Sequence, residues 1–450
     1  MAKSAQSTSI KEKATEGLMN NIGVRLIIIC ILILFLGIPL SMVKSVTMSR
    51  VYLFDITKNE ISSDWGGSQT IIAPLITVPI QFITEGRAYN SEKKIYEKIT
   101  NVREELYIFL PENLNIKAEI FPEMRHRGIF NVLVHSTEVN ISGNFEKPDL
   151  SFLKGNYKVL WNNAVISVGV NSSLIRGDIG IKFDNKNLAF TPGSKIDGIN
   201  GISSNIDLST GIDKTFDMSF SFSGSSDVSF APLGKKNLFE VTSQWGHPIF
   251  RGAFRPDNPT ITDDYFKAGW NIPYIARDYP QIIRNQSEIN NIKYKMASVD
   301  LYNTMPIYKK AQRLADYGMM FITLTFIMMF LFERKLKQNL HYIQYAIVGL
   351  AISLFFLTTT SLSEYLGFGL AYAIASLIVI VMISLYTYAA LKNKKAAVTS
   401  SLLMALLYGI LYLMLSEADY ALLIGTFILL ITMSAIMWET RHLNSATDKK

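Results

Sequence analysis

The sequence predicts an integral membrane α-helical protein of six spans that carries a large β-rich, mainly antiparallel domain outside the cytoplasm, α+β in overall class. Three observations predict it. A hydrophobic block from Leu314 to Trp438 is cut by short polar loops into five pieces of 17–25 residues, each long enough at ~1.5 Å per residue to cross a hydrocarbon core of ~30 Å. A sixth apolar run, 22–43, stands near the N-terminus. Between them, from Ile71 to Tyr302, apolar residues recur with a period of two, the repeat of half-buried strands.

Taken in order, 1–21 is a polar segment rich in Ser, Thr and Lys and is expected in the cytoplasm. Residues 22–43 read as an uncleaved signal anchor. The apolar run is longer than a signal peptide's ~7–15 residues, and it ends in Ile38-Pro39-Leu40-Ser41-Met42-Val43-Lys44 with no small-x-small cleavage pair. Residues 44–313 form the outer domain. Helical spacing of Val46, Arg50, Leu53, Phe54 and Thr57 predicts a helix over 46–63 that continues the first span. Strands are expected where Leu106, Ile108 and Leu110, or Phe216, Met218, Phe220 and Phe222, alternate with other residues, and also over 165–170 and 294–301. A second helix near 305–313 is expected to run directly into the second span.

The bundle of 314–438 divides into spans 315–332, 342–360, 367–391, 399–415 and 421–438, followed by a cytoplasmic tail, 439–450. Its loops alternate in charge. Arg334, Lys335 and Lys337 follow the first of the five spans, and Lys392, Lys394 and Lys395 follow the third. The loops between hold Glu364, and Glu417 with Asp419, and no Lys or Arg. Positive loops stay in the cytoplasm, so both termini are expected there. The formal net charge of +7 is explained in large part by these flanking residues, and nucleic-acid binding is not expected. The lone cysteine, Cys30, rules out an intramolecular disulfide and a Cys-based zinc site, so the outer domain must be stabilised by burial.

Candidate chemistry is sparse. Asp316 and Glu333 lie at the two ends of the second span, where helix capping or headgroup contact is the expected role. No Lys, Arg, Asp, Glu or His lies in the middle of a span, which argues against ion-coupled transport. Ser363 with Glu364, and Ser416 with Glu417 and Asp419, fit helix N-caps with acids in the first turn. His126 and His135 could meet on neighbouring strands, but a third metal ligand is missing. No nucleophile elbow, phosphate loop or H-E-x-x-H pair occurs, so no catalytic residue, cofactor or metal site is assigned. The densest unusual cluster is Trp245-Gly246-His247-Pro248. It reads as a turn packing its aromatic onto the β core, or alternatively as a contact surface formed by Trp245, His247 and Pro248.

Ordered motifs along the chain resemble one family. They include Ala73-Pro74-Leu75-Ile76-Thr77-Val78-Pro79-Ile80, Phe109-Leu110-Pro111-Glu112, Thr242-Ser243-Gln244-Trp245-Gly246-His247-Pro248, Phe332-Glu333, Leu362-Ser363-Glu364 and Ala418-Asp419. The sequence is similar to the bacterial inner-membrane CreD proteins, the cell-envelope integrity family linked to the Cre two-component system. That resemblance implies a periplasmic location for 44–313, a role in envelope homeostasis and colicin tolerance, and no known catalytic activity. The expected function is a non-enzymatic multi-pass inner-membrane protein acting through its periplasmic domain on envelope proteins or polymers, with membrane lipids around its spans. The alternative is a lipid-handling or transport protein whose outer domain receives cargo. The polar N-terminus ahead of the first span is longer than the family pattern.

Overall fold

The computed structural model describes residues 22–90, 95–284, 286–301, 307–336, 340–416 and 421–440. The chain divides into two compact units, Met1–Asp55 with Met305–Lys450, and Ile56–Thr304.

The first unit is helical. Helix α1, Ile22–Trp65, belongs to it through Asp55 and to the second unit from Ile56. The predicted span and the predicted helix over 46–63 are one continuous helix of 44 residues, uninterrupted at Pro39. After a short helix α2, Gln286–Tyr294, in the second unit come α3, Ile307–Asp316, and α4, Gly318–Leu336. These two meet at a 42° bend, so the helix near 305–313 does not run straight into the span as expected. Helices α5, Tyr342–Leu366, α6, Phe368–Leu391, α7, Lys394–Ser416, and α8, Ala421–Thr440, complete the unit. Among the described residues α1, α5, α6 and α7 are long and apolar enough to cross a membrane, and the bent pair α3–α4 makes a fifth candidate.

The core of this unit is aromatic. Phe355 lies 4.6 Å, ring to ring, from Tyr408 and 5.5 Å from Tyr372, and Tyr372 Oη donates to the Tyr408 carbonyl at 2.6 Å. Helix α1 joins through small-residue seats. A Cβ on Gly349 would fall 2.1 Å from Leu36 Cδ1, and one on Gly318 would fall 2.5 Å from Leu40 Cδ1. Lipid tails are as apolar as leucine, so such close packing is what holds spans together.

The second unit is built on two sheets. Four long strands form two hairpins: β1, Gln69–Asn90, with β2, Ile95–Phe109, and β3, Asn113–Arg127, with β4, Phe130–Phe145. The ten-stranded sheet runs in the order Pro248–Gly252, Ala297–Leu301, Val228–Phe230, β1, Ala164–Gly169, Gly201–Ile206, Thr191–Pro192, with β2 and two short strands off this path. The eight-stranded sheet runs Asp257–Ile261, Phe266–Pro273, Lys236–Ser243, β3, β4, Lys214–Gly224, Ile175–Phe183, Lys186–Asn187. Most pairs are antiparallel. The exceptions among the described strands are β1 with Val228–Phe230 and β3 with Lys236–Ser243.

Period two is visible in the burial. Phe216, Met218, Phe220 and Phe222 all point into one core with Ile116, Ile141 and Val241, while Asp217 and Ser219 face away. Of the strand expected over 294–301, only Ala297–Leu301 forms one, buried along most of its length. Tyr294 ends α2, a helix with Glu288 in its first turn and Lys293 in its last, which favours helix over strand there.

Candidate functional site

Of the residues singled out from sequence, the Trp245 turn follows strand Lys236–Ser243, and Pro248 opens the next strand. Trp245 is half-buried and packs against the β core, whereas His247 is exposed. The chain must pass close to a neighbour here, because a Cβ on Gly246 would lie 1.8 Å from the Asp263 carbonyl oxygen. His126 and His135 are not brought together. His126 pairs with Asn131 across β3–β4, and His135 pairs with Pro122. Among the described residues no three His, Cys, Asp or Glu side chains cluster as metal ligands.

Two polar side chains of the β unit, His135 and Arg277, are buried in internal networks that the sequence did not signal. His135 Nε2 donates to the Ser226 carbonyl at 3.1 Å, and Thr137 Oγ1 donates to Nδ1 at 3.0 Å. Both nitrogens are therefore satisfied in the neutral ring, and burial pushes its pKa down to about 4. Arg277 is fully buried and donates to the Leu233 and Gly234 carbonyls and to Gln281 Oε1, while its guanidinium lies 4.7 Å from the Tyr274 ring and 4.9 Å from the Tyr279 ring. Burial lowers the Arg277 pKa and raises that of Tyr279, whose hydroxyl donates to the Pro232 carbonyl. Gln281 in turn donates to Leu110 and Pro111. Through the Arg277–Gln281 side-chain bond and their bonds to backbone carbonyls, this network fixes the loop 232–234 to the β2–β3 connection.

In the helical unit, charges at the ends of the spans pair with one another. Glu333 is buried and accepts from Arg25, from the Leu340 amide and from Tyr345 Oη at 3.0 Å, and Arg25 also donates to the Leu340 carbonyl at 2.8 Å. The expected headgroup or capping role for Glu333 is thus replaced by an internal ion pair, since Arg25 on α1 lies within reach. Asp316 likewise meets Lys44 at 2.5 Å. From Arg25 to Lys44 is nineteen residues of helix α1, about 28 Å at ~1.5 Å per residue, which matches the ~30 Å hydrocarbon core.

The N-cap reading of Ser363 and Glu364 is corrected. Both lie in the last turn of α5, because the connection to α6 is the single residue Gly367 at φ 77°, a backbone that suits glycine. Gly367 caps α6 without a side-chain bond, Ser363 Oγ donates to the Thr360 carbonyl, and Glu364 meets Arg50 of α1 at 3.5 Å. Ser416 is the last residue of α7, not the cap of α8, and Glu417 and Asp419 lie outside the described residues, as do the polar segment 1–21 and residues 441–450 of the tail.

One surface of the β unit stands open. Beyond Ile83, β1 pairs with β2 alone, and from Ile95 to Tyr107 the other edge of β2 has no partner among the described strands. This two-stranded arm exposes Tyr89, Tyr96, Ile99, Val102 and Leu106, with the Tyr89 and Tyr96 rings 5.3 Å apart. Interleaved charges, such as Lys98 paired with Glu85 at 2.6 Å, guard it against edge-to-edge aggregation.

The family model described as "Inner membrane protein CreD" matches residues 21–446. The chain belongs to the CreD family. The membership bears out the resemblance read from the ordered motifs, and with it an inner-membrane protein with several apolar helices. Inner membrane protein CreD of Escherichia coli strain K12 is 29% identical over 419 residues, covering 92% of this chain and 91% of that protein. Solved structures give only faint likenesses. An M1 zinc metallopeptidase from Deinococcus radiodurans is 7% identical, covers 44% of each chain and has a TM-score of 0.23. Native leukotriene A4 hydrolase from Saccharomyces cerevisiae is 8% identical, covers 44% of this chain and 30% of its own, and has a TM-score of 0.21. At such scores neither likeness carries weight for this CreD family member.

Proposed function

We propose that this chain is a six-span inner-membrane protein, with both termini in the cytoplasm, that acts in envelope integrity by holding its β unit in the periplasm against envelope proteins or polymers, without catalysing a reaction on them. In this reading α8 is the sixth span. The alternating charges of the loops, Arg334 and Lys335 against Glu364, then Lys392, Lys394 and Lys395, favour this orientation. The observation that carries the contact role is the β1–β2 arm. A two-stranded ribbon is marginal on its own in water, yet here it runs to Asn90 and Ile95 with apolar side chains on both faces. Retaining such an arm makes physical sense if a partner covers it. The buried polar groups of the β unit favour a binding rather than a catalytic role, because both ring nitrogens of His135 and the Tyr279 hydroxyl are spent on internal partners.

Two measurements test this. Photo-crosslinking residues at Tyr96 and Val102 should capture an envelope component in intact cells, while one at the exposed Tyr274 should not. Crosslinking with equal yield at all three positions would refute a localised surface. For topology, in a Cys30→Ser background, Tyr365→Cys should react with an impermeant thiol reagent from the periplasm and Lys394→Cys only after lysis. Labelling of Lys394→Cys in intact spheroplasts would overturn the six-span arrangement.

A further inference from the structure

Helices α4, α7 and α8 enclose an open groove of about 490 Å³, within the ~300–1,000 Å³ range of small-molecule sites. Its walls are overwhelmingly apolar. Leu403, Leu406 and Ile431 are among the exposed leucines and isoleucines that line it. The groove has a direction. Along α4 it runs from Leu324 to Lys335, and along α7 from Thr399 to Ile410, eleven residue steps on each helix. At ~1.5 Å per residue that is about 16 Å, half of a ~30 Å hydrocarbon core and therefore one leaflet deep. Its deep end is apolar apart from Thr325, whose hydroxyl turns to Met404 Sδ at 3.7 Å, and its outer end carries the Lys335 ammonium and the Thr399 hydroxyl. Lys335 is exposed and makes no ion pair among the described residues. Lys394 and Lys395 begin α7 one turn before Thr399, so the field at this end is positive.

We infer that this groove is a binding site for one anionic phospholipid of the leaflet that borders the basic loops, with an acyl chain between α4, α7 and α8 and the phosphate against Lys335. The length matches one leaflet, the walls match hydrocarbon, and Lys335, the one charged residue among those lining the groove, stands where the headgroup of such a lipid lies. A basic residue at the mouth of an interhelical cleft is the arrangement by which spans select anionic headgroups. A zwitterionic lipid fits the walls equally well but gains less from Lys335, so discrimination comes from the lysine and occupancy from the walls. The inference does not depend on the contact role of the β unit.

The test is native mass spectrometry of the full-length chain in a mild detergent, titrated separately with dioleoylphosphatidylglycerol and dioleoylphosphatidylcholine. One charge at the interface corresponds to about a fivefold preference for the anionic lipid. Lys335→Gln should abolish that preference while leaving binding of the zwitterionic lipid unchanged. Leu403→Trp or Leu406→Trp, each filling the groove from a lipid-facing position that the fold does not bury, should lower occupancy by both lipids. Lys309→Gln, on α3 away from the groove, should change nothing. Each variant is checked for monodisperse elution and unchanged helical circular dichroism, and two groove-filling positions guard against one that misfolds. Equal binding of both lipids by the unaltered chain would overturn the inference. So would a preference that persists in Lys335→Gln, or a lipid-free dimer whose formation Leu403→Trp abolishes, which would make the groove a seat for a second copy.

Discussion

The buried histidine of the β unit gives the sharpest quantitative test. Lowering the pH is the perturbation. In the folded chain His135 stays neutral down to about pH 4, because burial penalises the charged ring more than the Ser226 carbonyl and Asp227 favour it. In an unfolded chain the same ring takes a proton near 6.5. Between those values the unfolded state binds more protons, so stability falls as pH drops from about 6.5 to about 4. Above about 6.5 this residue contributes no slope. At ~1.4 kcal/mol for each pH unit separating the two values, the full loss is about 3 kcal/mol, or more than a hundredfold in the opening equilibrium. Hydrogen exchange of the full-length chain in mild detergent would read it in peptides from Phe130–Phe145 and Lys214–Gly224, after correction for intrinsic exchange. Asp300, whose pKa is raised by burial, acts in the opposite sense, so the comparison is between the unaltered chain and His135→Gln. The variant should lose most of the slope between pH 6.5 and 4. If its slope is unchanged, or if the His135 ring titrates near 6.5 by NMR, the buried neutral histidine is wrong.

Three further outcomes follow from the packing. Arg25→Ala or Glu333→Ala alone strands a buried charge and should cost about 3–5 kcal/mol, whereas the double change to methionine should recover most of it; thermal unfolding in detergent reads both, and a neutral single change would show the pair to be solvated. Gly349→Leu drives into Leu36, as the 2.1 Å Cβ distance requires, and should cost about 1–3 kcal/mol of overpacking, seen as loss of a disulfide crosslink engineered between α1 and α5. Trp245→Ala, at a half-buried site, should destabilise the β unit by about 2 kcal/mol, below the ~3–5 of a fully buried aromatic, and His247→Ala should stay within about 0.5 kcal/mol; urea titration followed by β-sheet circular dichroism separates the two.

What was legible in the sequence was what repeats locally. Phe216 to Phe222 read as a strand because one face is buried and the period is two, and the apolar runs read as helices that can span a membrane because their length is set by the bilayer. The misreadings lie where a contact or a single residue decides. Ser363 and Glu364 looked like a helix start because Ser before Glu is a capping pattern, but Leu366-Gly367-Phe368 held the stronger signal, a glycine where α5 ends with positive φ. Tyr294 looked like part of a strand because Tyr294 and Met296 alternate with Lys293 and Lys295, while the Glu288 and Lys293 charges five apart belonged to a helix. The Arg25–Glu333 pair joins residues 308 apart in sequence, a distance over which no local pattern carries information. The one available clue was a carboxylate at the end of a span and an arginine inside another.

The two sides of the helical unit are held by different forces, and this decides where a ligand can enter. Helix α1 is fixed by ion pairs at Arg25, Lys44 and Arg50 and by glycine seats at Gly349 and Gly318. Each of these works in lipid, where apolar contact alone gives no preference for a neighbouring helix over a tail. Helix α8 sits more loosely, its Gly425 placing a Cβ 3.3 Å from Met414 Cε. Thr426 and Ser434 turn their hydroxyls back to the carbonyls four residues before, at 2.8 Å, and no described side chain of α8 is buried. A helix so weakly tied leaves room beside it, whereas the Phe355, Tyr372 and Tyr408 cluster leaves none. The groove therefore opens along α4 and α7 beside α8, whose Thr426 and Ser434 hydroxyls bond only within their own helix, and Lys335 stands at its mouth without an ion pair among the described residues.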